Sequence, residues 1–167
     1  MFEVQPIAFV RSDREEVWDD FWGGVDARIE LAPNVPVESL DGLEDFSHAE
    51  ILLVFDRVAP EAVVTGARHP RNNPDWPRMG IFAQRAKGRP NRLGSTIVRI
   101  LSRLGPSLHV AGLDAVNGTP VLDIKPVIAE FLPQEPVCQP EWSRLLMRDY
   151  WRQAIEREVP ASTGSDV

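Results

Sequence analysis

The chain has 167 residues, 43% apolar and 26% charged, with a formal net charge of −7. That length suits one domain with a real core, and no run approaches the roughly 20 apolar residues of a membrane span. A single cysteine, Cys138, excludes an internal disulfide and points to a reducing compartment, so the cytoplasm is the expected location.

The charge is segregated along the chain. Residues 1–56 carry 3 arginines against 14 acidic residues, residues 57–103 carry 10 basic against 2 acidic, and residues 104–167 carry 5 against 9. The middle segment is therefore at +8 inside an acidic protein, which suggests an anionic ligand held at one place. The alternative is that these arginines neutralise the acidic N-terminal third within the fold.

In chain order, short strand-like runs occur at Glu3–Val10, Ala27–Leu31, Ala49–Phe55, Met79–Gln84, Thr96–Leu101, Ser107–Leu113 and Pro120–Ile124. Gly105-Pro106 and Asn117-Gly118 are turn signals between them, and Asn117-Gly118 predicts a hairpin with a type I′ turn. With 15 prolines spread throughout, long helices are excluded from the middle of the chain. The expected fold is mainly β: a small antiparallel β-barrel.

Pro60–Pro77 is a polar excursion with Arg68, His69 and Arg71 near its centre. Pro140 starts a stretch, Glu141–Val159, in which Trp142, Leu146 and Tyr150 recur at i+4, as do Met147, Trp151 and Ile155. This reads as an amphipathic C-terminal helix that covers the barrel or joins a second subunit. Residues 1–160 are expected to form one domain and 161–167 a frayed tail. His48, His69, His109 and Cys138 show no zinc-site spacing, so no metal is expected.

The densest functional signal lies at residues 80–126. Gly-Ile-Phe-Ala-Gln-Arg (80–85) and Arg-Pro-Asn-Arg-Leu-Gly (89–94) are followed by Gly-Leu-Asp-Ala-Val-Asn-Gly-Thr-Pro-Val-Leu-Asp-Ile-Lys-Pro (112–126). A rigid, glycine-punctuated loop carrying Arg85, Arg89 and Arg92 is suited to something anionic or planar. Together with Pro-Ile-Ala-Phe-Val-Arg-Ser (6–12), Gly-Leu-Glu-Asp-Phe-Ser-His (42–48) and Arg-His-Pro-Arg (68–71), these segments resemble the TsaA-like family, also called YaeB-like or TrmO.

The resemblance implies a β-barrel methyltransferase dependent on S-adenosylmethionine, dimeric, with the cofactor near the subunit interface. The implied activity is N6-methylation of threonylcarbamoyl-adenosine beside the tRNA anticodon. Implied cofactor contacts fall at Phe55 and Asp56, at Arg85, at Leu93 and Ser95, and at the turn Leu113, Asp114, Ala115 and Val116; Arg89 and Asn91 are further cofactor candidates, their alternative being loop-shaping hydrogen bonds. Arg85 suits the cofactor carboxylate because its fork binds bidentately. Leu113 and Val116 suit an adenine edge, and Asp114 or Asp123 suits ribose hydroxyls or the ammonium group. Asp123 is also the candidate proton acceptor, its alternative being an ion pair with Lys125 or Arg99. Arg68, Arg71, Lys87 and Arg92 are the candidate RNA contacts.

The chain departs from the family's pattern at three places. Arg14 to Gly24 is acidic and aromatic where relatives carry an Arg-Gln-Pro-Gly-like stretch, so Asp20 or Trp22 takes over that wall of the pocket. Asp56 stands where a histidine is common, and Arg92 where a proline follows Arg-Pro-Asn. An acidic N-terminal third leaves two other readings open: a methyltransferase with a non-tRNA acceptor, or a cofactor-binding module without turnover.

Overall fold

A computed structural model describes residues 3–153. Its centre is a closed, wholly antiparallel six-stranded barrel. The barrel strands are β1 (Ala8–Arg11), β2 (Asp26–Leu31), β3 (His48–Val54), β6 (Leu93–Leu104), β7 (Ser107–Ala111) and β8 (Pro120–Pro126). A separate two-stranded ribbon is made by β4 (Ala67–Arg68) and β5 (Met79–Gly80). Around the barrel the order is β1-β2-β7-β6-β3-β8, closing β8 back on β1.

Strict alternation selects the core. Ala49, Ile51 and Leu53 of β3 point inward, as do Ala27, Ile29 and Leu31 of β2, while their neighbours face out. Val10, Val98, Leu108, Val110 and Val121 complete the fully buried interior. Closure gives every barrel strand two neighbours in so small a sheet. Register slips once between Leu52 and Leu53 against β8, so Leu53 faces Val121 while Leu52 faces Asp123. This bulge keeps Val121 in the core and Asp123 on the outer face.

The barrel expected from the sequence is therefore the observed fold, with three local differences. Met79–Gln84 is not a strand beyond Gly80. Ile81–Ala83 forms a 3-10 turn in which Ile81 and Gln84, three residues apart, are buried while Phe82 is 78% exposed. Gln84 then donates its amide to the carbonyls of Arg68 and Met79, at 3.1 and 2.9 Å, tying the turn to the β4–β5 ribbon.

Asn117-Gly118 does not make a hairpin either. Gly118 alone has positive φ (83°), the N–H of Thr119 reaches the carbonyl of Val116 at 3.2 Å, and β7 and β8 pair with other strands. The hairpin with a two-residue loop is β6–β7, whose Gly105 (φ 56°) and Pro106 match the φ signs of a II′ turn.

The C-terminal helix α1 spans only Glu141–Leu146. After it, Met147–Gln153 leaves helical geometry because its carbonyls are used elsewhere. Phe21, Trp22 and Gly23 donate their N–H groups to Asp149, Tyr150 and Arg152 at 3.2, 2.8 and 3.2 Å. Tyr150, Trp142 and Leu146 are half-buried, whereas Met147 and Trp151 are exposed. Ile155, the rest of the expected helix to Val159 and the expected tail 161–167 lie outside the described residues.

Candidate cofactor site

Strand β6 is longer than its partner. It pairs with β3 from Leu93 to Arg99, but β7 ends at Ala111, opposite Arg99. Along Leu93–Val98, β6 therefore lacks a β7 neighbour, and the turn Leu113–Val116 runs beside it instead. Thr96, buried on the inner side of β6, donates its hydroxyl to Asp114 there. Tyr150 donates its phenol to the other oxygen of the same carboxylate. Burial, and next the Asp114 carboxylate, push the Tyr150 phenol strongly up, so it stays a donor throughout the physiological range. Each carboxylate oxygen keeps lone pairs for a further donor.

On the outer side of the same strand, Ser95 donates to Glu50 at 2.6 Å and its carbonyl accepts from Arg85. Arg85 thus meets β6 at Ser95, next in sequence to the Thr96 that holds Asp114 and, through it, the Tyr150 phenol. Arg85 is exposed and has no carboxylate within 4.0 Å among the described residues. Apart from the N–H given to the Ser95 carbonyl, its guanidinium keeps donors for an anion.

A second wall is the loop Arg14–Gly24. Arg14 stacks on Trp22, with its guanidinium carbon 3.7 Å from the ring centroid, and donates to the carbonyls of Phe21 and Asp20 at 2.6 and 2.9 Å. Desolvation, the largest influence, pushes the Arg14 guanidinium down from its ordinary value. Asp20 accepts both ends of the Arg71 fork at 2.6 Å, and Asp19 takes Lys87 at 3.3 Å. Arg71 and Lys87, two of the four candidate RNA contacts, are therefore engaged with the acidic loop. For these two the neutralisation that the sequence left open is what the fold builds.

The other candidates are scattered. Leu113 is wholly buried in the barrel core and Ala115 and Val116 are nearly so, which makes them packing for the turn. Phe55 is half-buried against the core, and Asp56 is exposed. Leu93 and Asn91 are exposed. Arg89 donates to the carbonyl of Gln84 at 3.3 Å, and Arg92, at φ 52°, donates to Val58 at 2.9 Å. These contacts shape the loop. Arg68, half-buried, has an Nε with no hydrogen-bond partner among the described residues.

Asp123 pairs with Lys125 on the outer face of β8. It lines a cavity of about 470 Å³ with Ile7, Leu31, Leu40 and Phe46, and none of the Asp114 cluster lines that cavity. Thr96, Glu50, Arg14 and Tyr150 also belong to this candidate site, and sequence reasoning missed them. Only Thr96 carried a signal, as a polar residue at an inward strand position. Among the described residues no group of three or more His, Cys, Asp or Glu side chains could hold a metal, and no helix is long and apolar enough to cross a membrane.

Residues 20–131 match the model of the tRNA-methyltransferase O N-terminal domain. The chain belongs to that family. The matched stretch contains the barrel from β2 onward, Arg85, Ser95 and Asp114, and ends before Tyr150. Among curated proteins, the human tRNA (adenine(37)-N6)-methyltransferase is 39% identical over 107 residues, which is 64% of this chain and 24% of that protein. The Escherichia coli enzyme of the same name is 38% identical over 109 residues, or 62% and 46% of the two chains. A probable S-adenosyl-L-methionine-binding protein of Pyrococcus abyssi is 34% identical over 113 residues, 68% of this chain and 58% of that one. A crystal structure of TrmO from Pseudomonas aeruginosa superposes with TM-score 0.67 at 30% identity, covering 84% of this chain and 61% of that one. The chain thus spans about a quarter to three fifths of the relatives it matches.

Proposed function

We propose that this chain is an S-adenosylmethionine-dependent methyltransferase that N6-methylates threonylcarbamoyl-adenosine next to the anticodon of tRNA, working in the cytoplasm as a homodimer. The observation that carries the cofactor reading is the cluster of Arg85, Asp114, Thr96 and Ser95 along the unpaired flank of β6. Its donor set fits the cofactor. Arg85 keeps guanidinium donors beyond the one given to Ser95 for a carboxylate, and Asp114 keeps acceptor sites for ribose hydroxyls or an ammonium. When bound, S-adenosylmethionine supplies an electrophilic methyl group. The chain's own residues bind and orient, and orientation alone contributes much of the acceleration of such transfers. Asp123, held against Lys125, remains the candidate proton acceptor only if the acceptor base reaches the outer face of β8.

For tRNA, we assign phosphate contacts first to Arg68 and Arg92, which have no carboxylate partner among the described residues. Arg71 and Lys87 keep residual charge for the same surface. Support for the dimer comes from β6, where Leu93, Ile97 and Leu101 are each more than 40% exposed.

Calorimetric titration of S-adenosylmethionine into wild type and Arg85→Ala tests the cofactor reading. A charge-assisted bond of about 1.5–3 kcal/mol predicts roughly ten- to hundredfold weaker binding in the variant. Equal affinity would sink the Arg85 assignment. The acceptor is tested separately: affinity for tRNA should fall with salt, and Arg68→Ala should reduce the log–log slope by about 0.9. Tight cofactor binding without salt-dependent tRNA affinity would favour a different acceptor, which the ion pairs of the acidic loop with Arg71 and Lys87 would then explain.

A further inference from the structure

We propose that Tyr150, carried on the C-terminal strap Met147–Gln153, is a positioning residue that orients the Asp114 carboxylate for the cofactor, and that the strap is thereby a built part of the pocket. The inference rests on the reading of Asp114 as a cofactor-binding residue. It concerns a segment beyond residues 20–131, the part matched by the family model.

The strap is anchored on the pocket's own wall. Its carbonyls at Asp149, Tyr150 and Arg152 accept the N–H groups of Phe21, Trp22 and Gly23, the loop that also holds Arg14, Asp20 and Arg71. Tyr150 and Trp151 meet edge to face with centroids 5.0 Å apart, and the Trp151 ring lies over Gly112 at the start of the Asp114 turn. The strap therefore bridges the two loops between which the cluster lies. At its centre the phenol reaches one oxygen of Asp114 while Thr96 reaches the other. Two hydroxyl donors, one on each oxygen, leave a carboxylate little rotational freedom. Its remaining lone pairs then face one direction, as preorganised recognition of a diol or ammonium requires.

The phenol is also a fixed donor. Burial keeps it protonated, and the nearby charges of Asp114 and Asp19 reinforce that state. The Tyr150 hydroxyl therefore faces Asp114 as a donor.

The test is cofactor affinity by calorimetry, using S-adenosylmethionine with the whole chain, for wild type, Tyr150→Phe, Asp114→Asn and the double variant. Phenylalanine keeps the ring and removes only the hydroxyl, so a merely structural role leaves affinity unchanged. The expected result is five- to tenfold weaker binding in Tyr150→Phe and at least tenfold weaker binding in Asp114→Asn. The double variant should be no weaker than Asp114→Asn alone, because the tyrosine acts through the aspartate. Thr96→Val removes the other hydroxyl donor and is expected to give a similar loss, which keeps the test decisive if Tyr150→Phe folds poorly. Affinity in Tyr150→Phe equal to or tighter than wild type, or losses that add in the double variant, overturns the inference while leaving the cofactor reading intact. Absence of saturable binding by folded wild type overturns both. Binding that Asp114→Asn leaves undiminished overturns the inference and the assignment of Asp114 together.

Discussion

Leu53→Ala is expected to destabilise the protein by about 3 kcal/mol, within the 2–5 kcal/mol typical of truncating a buried leucine. Leu53 is 1% exposed and points into the barrel near the C-terminal end of β3. Its partner on β6 is Gly94, and on β8 Val121. The glycine has no side chain to swing into the space, and the closed ladder on both sides resists collapse of the strands. The cavity should therefore persist, and its cost is added to the lost transfer free energy. For a domain of this size the melting temperature should fall by roughly 10 °C. Ile97→Ala is the matched control. Ile97 is 48% exposed on the outside of β6, so its truncation should change the melting temperature little while weakening self-association. Thermal melts at fixed concentration, with sedimentation for the second variant, check both statements. Equal melting of Leu53→Ala and wild type would mean that the β3 register is wrong.

Much of the barrel was legible because alternation is a local property. Ala49, Ile51 and Leu53 announce an inward face whatever β3 pairs with, and Ala27, Ile29 and Leu31 do the same for β2. The errors occur where a longer-range partner decides. Gly80–Gln84 is apolar enough for a strand, yet the burial of Ile81 and Gln84 has period three, set by the amide of Gln84 reaching back to Arg68 and Met79. Asn117-Gly118 is good turn chemistry in a turn that joins strands on different sides of the barrel. No local signal distinguishes that from a hairpin. The spacing of Trp142, Leu146 and Tyr150 is helical, but backbone pairing with Phe21–Gly23 outcompetes the helix after Leu146. At the site, Arg85, Ser95 and Asp114 stand out in the sequence as chemistry-bearing residues in a special loop. Thr96, Glu50 and Tyr150 do not, because their roles exist only once β6 outruns β7 and the strap returns to the Asp114 turn.

That return depends on Gly23, and Gly23→Ala is expected to lift the strap. A β-carbon there would lie 2.0 Å from the carbonyl oxygen of Trp151 and 2.8 Å from its carbon. Both are backbone atoms, so no rotamer change relieves the clash. The strap must move away and give up its three backbone bonds to Phe21, Trp22 and Gly23, together with the Tyr150–Asp114 bond. At about 1 kcal/mol net per bond, the docked state loses roughly 3–4 kcal/mol. The barrel itself should stay folded, because none of its strands includes the strap. Limited trypsin digestion separates the two events. Cleavage after Arg148 or Arg152 should accelerate strongly in Gly23→Ala, while the barrel fragment resists and keeps its far-ultraviolet circular dichroism. Gly66→Ala is the control: nothing lies within 4 Å of its added carbon, and digestion should match wild type. If strap cleavage is as slow in Gly23→Ala as in wild type, the loop and strap are not packed backbone to backbone, and the wall that brings Tyr150 to Asp114 does not exist in solution.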